Sequence, residues 1–157
     1  MILRLIYTLL LGVFLAIFVG VGISAFYKGP AYPEMPAVLK YCSPDTVNTT
    51  PFKTQVTAYG KAEKIYRVDS QNYNRNVATI AVVAASILVV VSLTLLRKIL
   101  LISDGILLGG VFTLIYSVIR GFSAEDTMFE FLIISVGLLI SLMLGYVKFI
   151  HPASLQQ

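Results

Sequence analysis

Apolar residues gather into four long runs, at 5–27, 77–96, 99–119 and about 128–147. Each is about 20 residues, the length an α-helix needs to cross the hydrocarbon layer of a bilayer. The pattern predicts an all-α, polytopic membrane protein. It is read as a four-transmembrane-helix bundle, a single membrane domain over 1–157, with one extramembrane loop at 28–76 between helices 1 and 2. Ser24-Ala25 would suit a signal-peptidase cut, but the first run exceeds the apolar core of about 7–15 residues that such peptides carry. It is expected to be a retained anchor.

Local chemistry suggests where the helices stop. Arg97 and Lys98 separate the second and third runs, and Ser103-Asp104-Gly105 has the composition of a turn followed by a helix cap. One reading therefore starts the third helix with Ser103 or Asp104 as N-cap, and another starts it at Ile99. Arg120-Gly121 reads as its end, a cation in the last turn followed by a C′ glycine. Ser123-Ala124-Glu125-Asp126 opens the fourth helix as a near capping box, and His151-Pro152 closes it.

The loop changes character midway. Pro30, Pro33, Pro36, Pro44 and Pro51 make its first half an extended segment. From 54 to 76 there is no Pro, and Tyr59, Tyr66 and Tyr73 recur every seven residues. That spacing predicts a helix over 54–76 that continues into the second span, with a hairpin turning near Gly60 as the alternative. The upper tyrosines then pack on the proline-rich half of the loop or present a protein-contact face. Tyr73, among Asn72, Asn74, Arg75 and Asn76, marks the headgroup region.

Composition agrees with the membrane reading. The chain is 57% hydrophobic and 13% charged, with a mean hydropathy of +0.85, where soluble domains carry about 25% charge. Seven of the Lys/Arg and four of the Asp/Glu fall in the 49-residue loop, and the remaining nine charges fall at or near helix ends. One Cys, Cys42, cannot form an internal disulfide, and one His, His151, leaves no second histidine for a haem or zinc centre. The net charge of +4 is spread without a basic run, so no nucleic-acid partner is expected. No glycine-rich phosphate loop, CxxC or HExxH occurs, and no cofactor or metal is expected. Asn48-Thr49-Thr50 matches a glycosylation sequon, with Pro51 close behind.

Orientation is read as N- and C-termini cytoplasmic in a plasma or inner membrane. Arg4, Arg97, Lys98 and Lys148 then share one side, although the seven cations of the loop pull the other way.

Small residues recur every four positions on three spans. They are Thr8, Gly12, Ala16, Gly20 and Ser24 on the first, Gly105, Gly109, Thr113, Ser117 and Gly121 on the third, and Gly137, Ser141 and Gly145 on the fourth. Such ridges let helix backbones approach closely, within one bundle or between copies. The competing reading makes Asp104, Thr113 and Ser117 the lining of an ion or proton path, since an ionisable group inside a span is costly and marks function. Arg120 is expected to pair with Glu130 or with its neighbours Glu125 and Asp126. Asp104 and Glu130 fall near opposite faces of the membrane and cannot act together as acid and base.

The function expected from these features is a non-catalytic structural or accessory subunit. Its partners are the lipid bilayer and a second copy or a larger membrane complex. The alternative is an oligomeric channel or transporter around the third helix, with a membrane enzyme last because no catalytic set is present.

Overall fold

The computed structural model describes residues 2–40, 50–95 and 100–147. Cys42, Asn48 and Thr49 of the sequon, Arg97, Lys98, Lys148 and His151 lie outside the described residues. The elements are α1 (Ile2–Phe26), α2 (Ala37–Lys40), α3 (Thr50–Leu95), α4 (Leu100–Phe122) and α5 (Thr127–Gly145), with no strand among the described residues. Four of them, α1, α3, α4 and α5, are long and apolar enough to cross a membrane. The chain is a multi-pass four-helix membrane protein.

It divides into two compact units, one of Met1–Lys28 with Asn74–Gln157 and one of Gly29–Tyr73. In the first unit α4 is the central helix. Gly12 of α1 lies against Leu108, while Gly105 and Gly109 of α4 lie against Leu11 and Leu15. The paired numbers rise together, so α1 and α4 run parallel. On α3, Ser92 meets Ser103 and Ala78 meets Ser117, an antiparallel register. Gly121 meets Ile133 of α5, again antiparallel given the short connection. Within their apolar windows α4 and α3 bury 39% of residues, against 11% for α1 and 6% for α5. The outer helices therefore present Leu, Ile, Val and Phe to whatever surrounds the chain.

The helix ends differ from three of the expectations. Ser103 and Asp104 do not cap α4: the helix begins at Leu100, and both lie within its opening turns. The apolar run pulls the helix start back past the turn signature, because in hydrocarbon a helix satisfies its own backbone groups. Gly121 is not a C′ residue, since α4 continues to Phe122 and no glycine takes positive φ. The left-handed residue in the α4–α5 turn is Glu125, at φ 51°. Nor does Ser123 open α5. The N-cap is Asp126, whose Oδ1 accepts from the amides of Met128 at 3.1 Å and Phe129 at 3.3 Å.

In the second unit the proline-rich segment lies along the tyrosine stripe of α3. Pro51 sits in the first turn of α3, where a missing amide costs nothing. The helix then runs without interruption through Gly60 and the three tyrosines. Gly29 lies against the Tyr73 ring, with room for no side chain beyond about a Cβ at 3.3 Å.

Candidate functional site

Polar side chains inside the bundle are directed at backbone carbonyls. Ser92 Oγ donates to the Ser103 carbonyl at 2.7 Å, and Ser103 Oγ donates to the Ser92 carbonyl at 2.7 Å. Both serines are fully buried. Ser117 Oγ donates across to the Ala78 carbonyl at 2.8 Å, and Thr113 Oγ1 donates to Gly109 of its own helix at 2.8 Å. Among the described residues, no buried side-chain nitrogen or oxygen lacks a hydrogen-bond partner. In a medium without water, each hydroxyl needs such a partner.

The three path candidates are not brought together. Along a continuous α4, nine residues turn the helix by about 180°, so Asp104 and Thr113 face opposite sides. Asp104 is half-buried near the positive end of the helix, while Thr113 and Ser117 are buried among neighbouring helices.

Three glycines lie in the α1–α4 contact. A Cβ on Gly105 would stand 2.5 Å from Leu11 Cδ2, and one on Gly109 2.7 Å from Leu15 Cδ2. For Gly12 the nearest atom is Leu108 Cβ at 3.0 Å. The ridge on α4 does not serve one partner, however. Each four-residue step drifts about 40° around the axis. Gly105 and Gly109 thus face α1, Ser117 faces α3, and Gly121 faces Ile133 of α5. A Cβ on Gly110, outside the ridge, would stand 3.1 Å from Val89 Cγ2 and 3.4 Å from the Ala85 carbonyl oxygen of α3. Further along α1, Ala16, Gly20 and Ser24 border a shallow groove with Tyr116.

A polar cluster closes one end of this unit. Arg120 Nη1 donates to Asn74 Oδ1 at 3.0 Å, and its Nε donates to Tyr116 OH at 3.1 Å. The guanidinium carbon also stands 5.5 Å from the Tyr116 ring centroid. Asn74 Nδ2 continues to the Ser123 carbonyl at 3.2 Å, and Asn76 Nδ2 donates to Tyr27 OH at 2.8 Å. α3 is tied in this way to the α4–α5 turn and to the end of α1. Glu130, the partner expected for Arg120, is half-buried in the first turn of α5 beside Gly121 and Ile133. Sequence spacing could not have singled out Asn74, which lies 46 positions from Arg120.

α5 is held less closely. Past its contact with Gly121, α4 and α5 flank a groove of about 400 Å3 lined by Val111, Leu114, Val118, Ile134, Gly137 and Ser141, among others. Nothing lies within 4 Å of a Cβ placed on Gly137 or on Gly145. Ser141 Oγ donates to the Gly137 carbonyl of its own helix at 2.9 Å, which leaves a small, nearly apolar surface.

In the second unit, Tyr32 of the proline-rich segment reaches two tyrosines of the stripe. Its hydroxyl is 3.2 Å from that of Tyr59, and its ring meets Tyr66 edge-on at 5.0 Å and 76°. The Tyr32 hydrogen bond, with desolvation and the nearby charges of Tyr32 and Glu63, pushes the Tyr59 phenol up to about 12.

No group of three or more metal-ligating side chains is present among the described residues. No protein family, curated protein or solved structure matches the chain.

Proposed function

We propose that this chain is a structural or accessory membrane subunit that performs no chemistry of its own and self-associates in the bilayer. Gly137 carries the reading: a helix glycine on the rim of an apolar groove, where an added Cβ would meet nothing from a neighbouring element within 4 Å. Within the bundle, Gly105 and Gly109 receive leucines from α1. The Gly137–Ser141 stretch of α5 has the same small-residue character, and among the described residues Gly137 receives no such side chain. Lipid tails are as apolar as leucine, so helices associate through close contact at small residues. α5, with 6% of its window buried, offers the surface for it.

The termini are proposed to face the cytoplasm with the loop outside, because the short first tail carries Arg4 and Lys148 follows the last span on the same side. Labelling Cys42 with an impermeant maleimide in intact cells tests this. Reaction only after lysis would reverse the topology.

The test of self-association is native mass spectrometry of the full chain in detergent. A defined oligomer that Gly137→Leu dissociates supports the reading. A monomer, or an oligomer indifferent to Gly137→Leu and Ser141→Leu, overturns it.

A further inference from the structure

Prolines recur every three residues in the segment that lies on α3: Pro30, Pro33 and Pro36. All three are half-buried, while Ala31, Tyr32, Glu34 and Met35 between them are exposed. Three residues per turn is the period of a polyproline II helix, whose φ each prolyl ring fixes in advance. Over 29–36 the segment takes neither α-helix nor strand. Among the described residues, no backbone–backbone hydrogen bond joins it to α3. Its register on α3 is regular. A Cβ on Gly29 would stand 3.3 Å from the Tyr73 ring, and Tyr32 meets Tyr66 edge-on and Tyr59 through its hydroxyl. Three residues forward along the segment thus answer to seven residues backward along α3. One polyproline turn rises about 9.3 Å, and seven residues of α-helix rise about 10.5 Å. The tyrosines therefore stand at nearly the spacing of successive turns of an antiparallel polyproline helix, one ring per turn.

We infer that the tyrosine stripe of α3 is a recognition surface for proline-rich polypeptide, and that the chain's own 29–36 segment occupies it as a cis ligand which a proline-rich segment of a partner protein displaces. Rows of aromatic side chains bind such segments because a polyproline helix is ordered before it docks and loses little entropy on binding. A ladder of rings matched to successive turns suits an extended chain and no compact ligand. Tethering is what lets one ring contact and one hydroxyl pair hold the cis segment. It begins three residues after α1 ends, and a short tether presents a ligand at millimolar effective concentration. A partner competes by carrying several proline turns in one segment. The inference concerns the extramembrane unit and stands independently of self-association within the bilayer.

The test uses the full chain in detergent and a fluorescent peptide of two copies of the 29–36 sequence in series, read by anisotropy, beside an analogue with Ala for every Pro. P30A/Y32A/P33A weakens the cis segment. This variant should bind the proline peptide about tenfold or more tightly than wild type does, and about tenfold or more tightly than it binds the analogue. Adding Y66A should abolish that binding. If Y66A lowers the helical circular dichroism, Tyr66→Leu, which keeps a good helix former and removes the ring, carries the comparison. Equal affinity for the two peptides, no binding by P30A/Y32A/P33A, binding by wild type as tight as by that variant, or binding unchanged by loss of the Tyr66 ring overturns the inference. So does tighter binding by the variant to a heptad-repeat helical peptide, or to phosphatidylcholine vesicles, than to the proline peptide.

Discussion

Ser92 and Ser103 each donate a hydrogen bond to the other's backbone carbonyl at 2.7 Å, with their hydroxyl oxygens 3.1 Å apart. The reciprocal pair fixes the register of α3 against α4 next to their connection. Interhelical hydrogen bonds in bilayers contribute about 0.6 kcal/mol on average and up to about 1.7 kcal/mol each. Ser92→Ala and Ser103→Ala should each destabilise the bundle within that range. The double variant should lose no more than about 3 kcal/mol, measured by reversible unfolding in mixed micelles. A double variant as stable as wild type would mean that the pair is incidental.

Glycine contacts should separate the helices by position. Gly105→Ala and Gly109→Ala place a methyl against leucines already at contact, and overpacking of this kind costs about 1–3 kcal/mol. Gly145→Ala adds a methyl to open space and should be neutral or slightly stabilising, because Ala is the better helix former. The same unfolding assay ranks them. Equal effects at 105 and 145 would contradict the α1–α4 contact.

Alkaline titration reads the strap over the tyrosine stripe. The ordinary phenol value is 10.0 and that of Tyr59 is about 12, so the folded unit favours the neutral form. Its contribution is complete below pH 10 and is lost as pH rises through 12. Ultraviolet difference spectra of wild type against Tyr59→Phe should show Tyr59 ionising late. Tyr32→Phe removes the largest cause and should bring Tyr59 back toward the ordinary value. An unaltered titration in Tyr32→Phe would separate Tyr32 from Tyr59.

Asp126 should behave as a cap and nothing more. Asp126→Asn keeps an acceptor for the Met128 and Phe129 amides and should be tolerated, whereas Asp126→Ala should cost about 1 kcal/mol. Thermal unfolding of the two variants distinguishes a cap from a carboxylate whose charge matters.

The four spans could be read from the sequence because a bilayer demands long apolar runs and tolerates few charges within them. The helical half of the loop was announced by a Pro-free stretch with tyrosines every seven residues, and α3 covers those residues. Helix ends were less legible. Ser103-Asp104-Gly105 has turn chemistry, yet it lies inside α4, where the apolar run continues the helix and Ser103 donates to the Ser92 carbonyl. The α4 ridge was visible as spacing, but its partners were not: a four-residue repeat drifts, and only the placement of three neighbouring helices says which rung meets which. Asn74 was unreadable for another reason. An asparagine among several polar residues carries no local mark of an arginine 46 positions away.

Self-association of a non-catalytic membrane subunit is the central claim, and native mass spectrometry of the intact chain released from detergent tests it most directly. The account predicts a single defined oligomer for wild type, dissociated by Gly137→Leu and retained in Gly60→Ala, whose site on α3 is likewise open but lies outside the spans. A wild-type monomer, or an oligomer that survives both Gly137→Leu and Ser141→Leu, would contradict it.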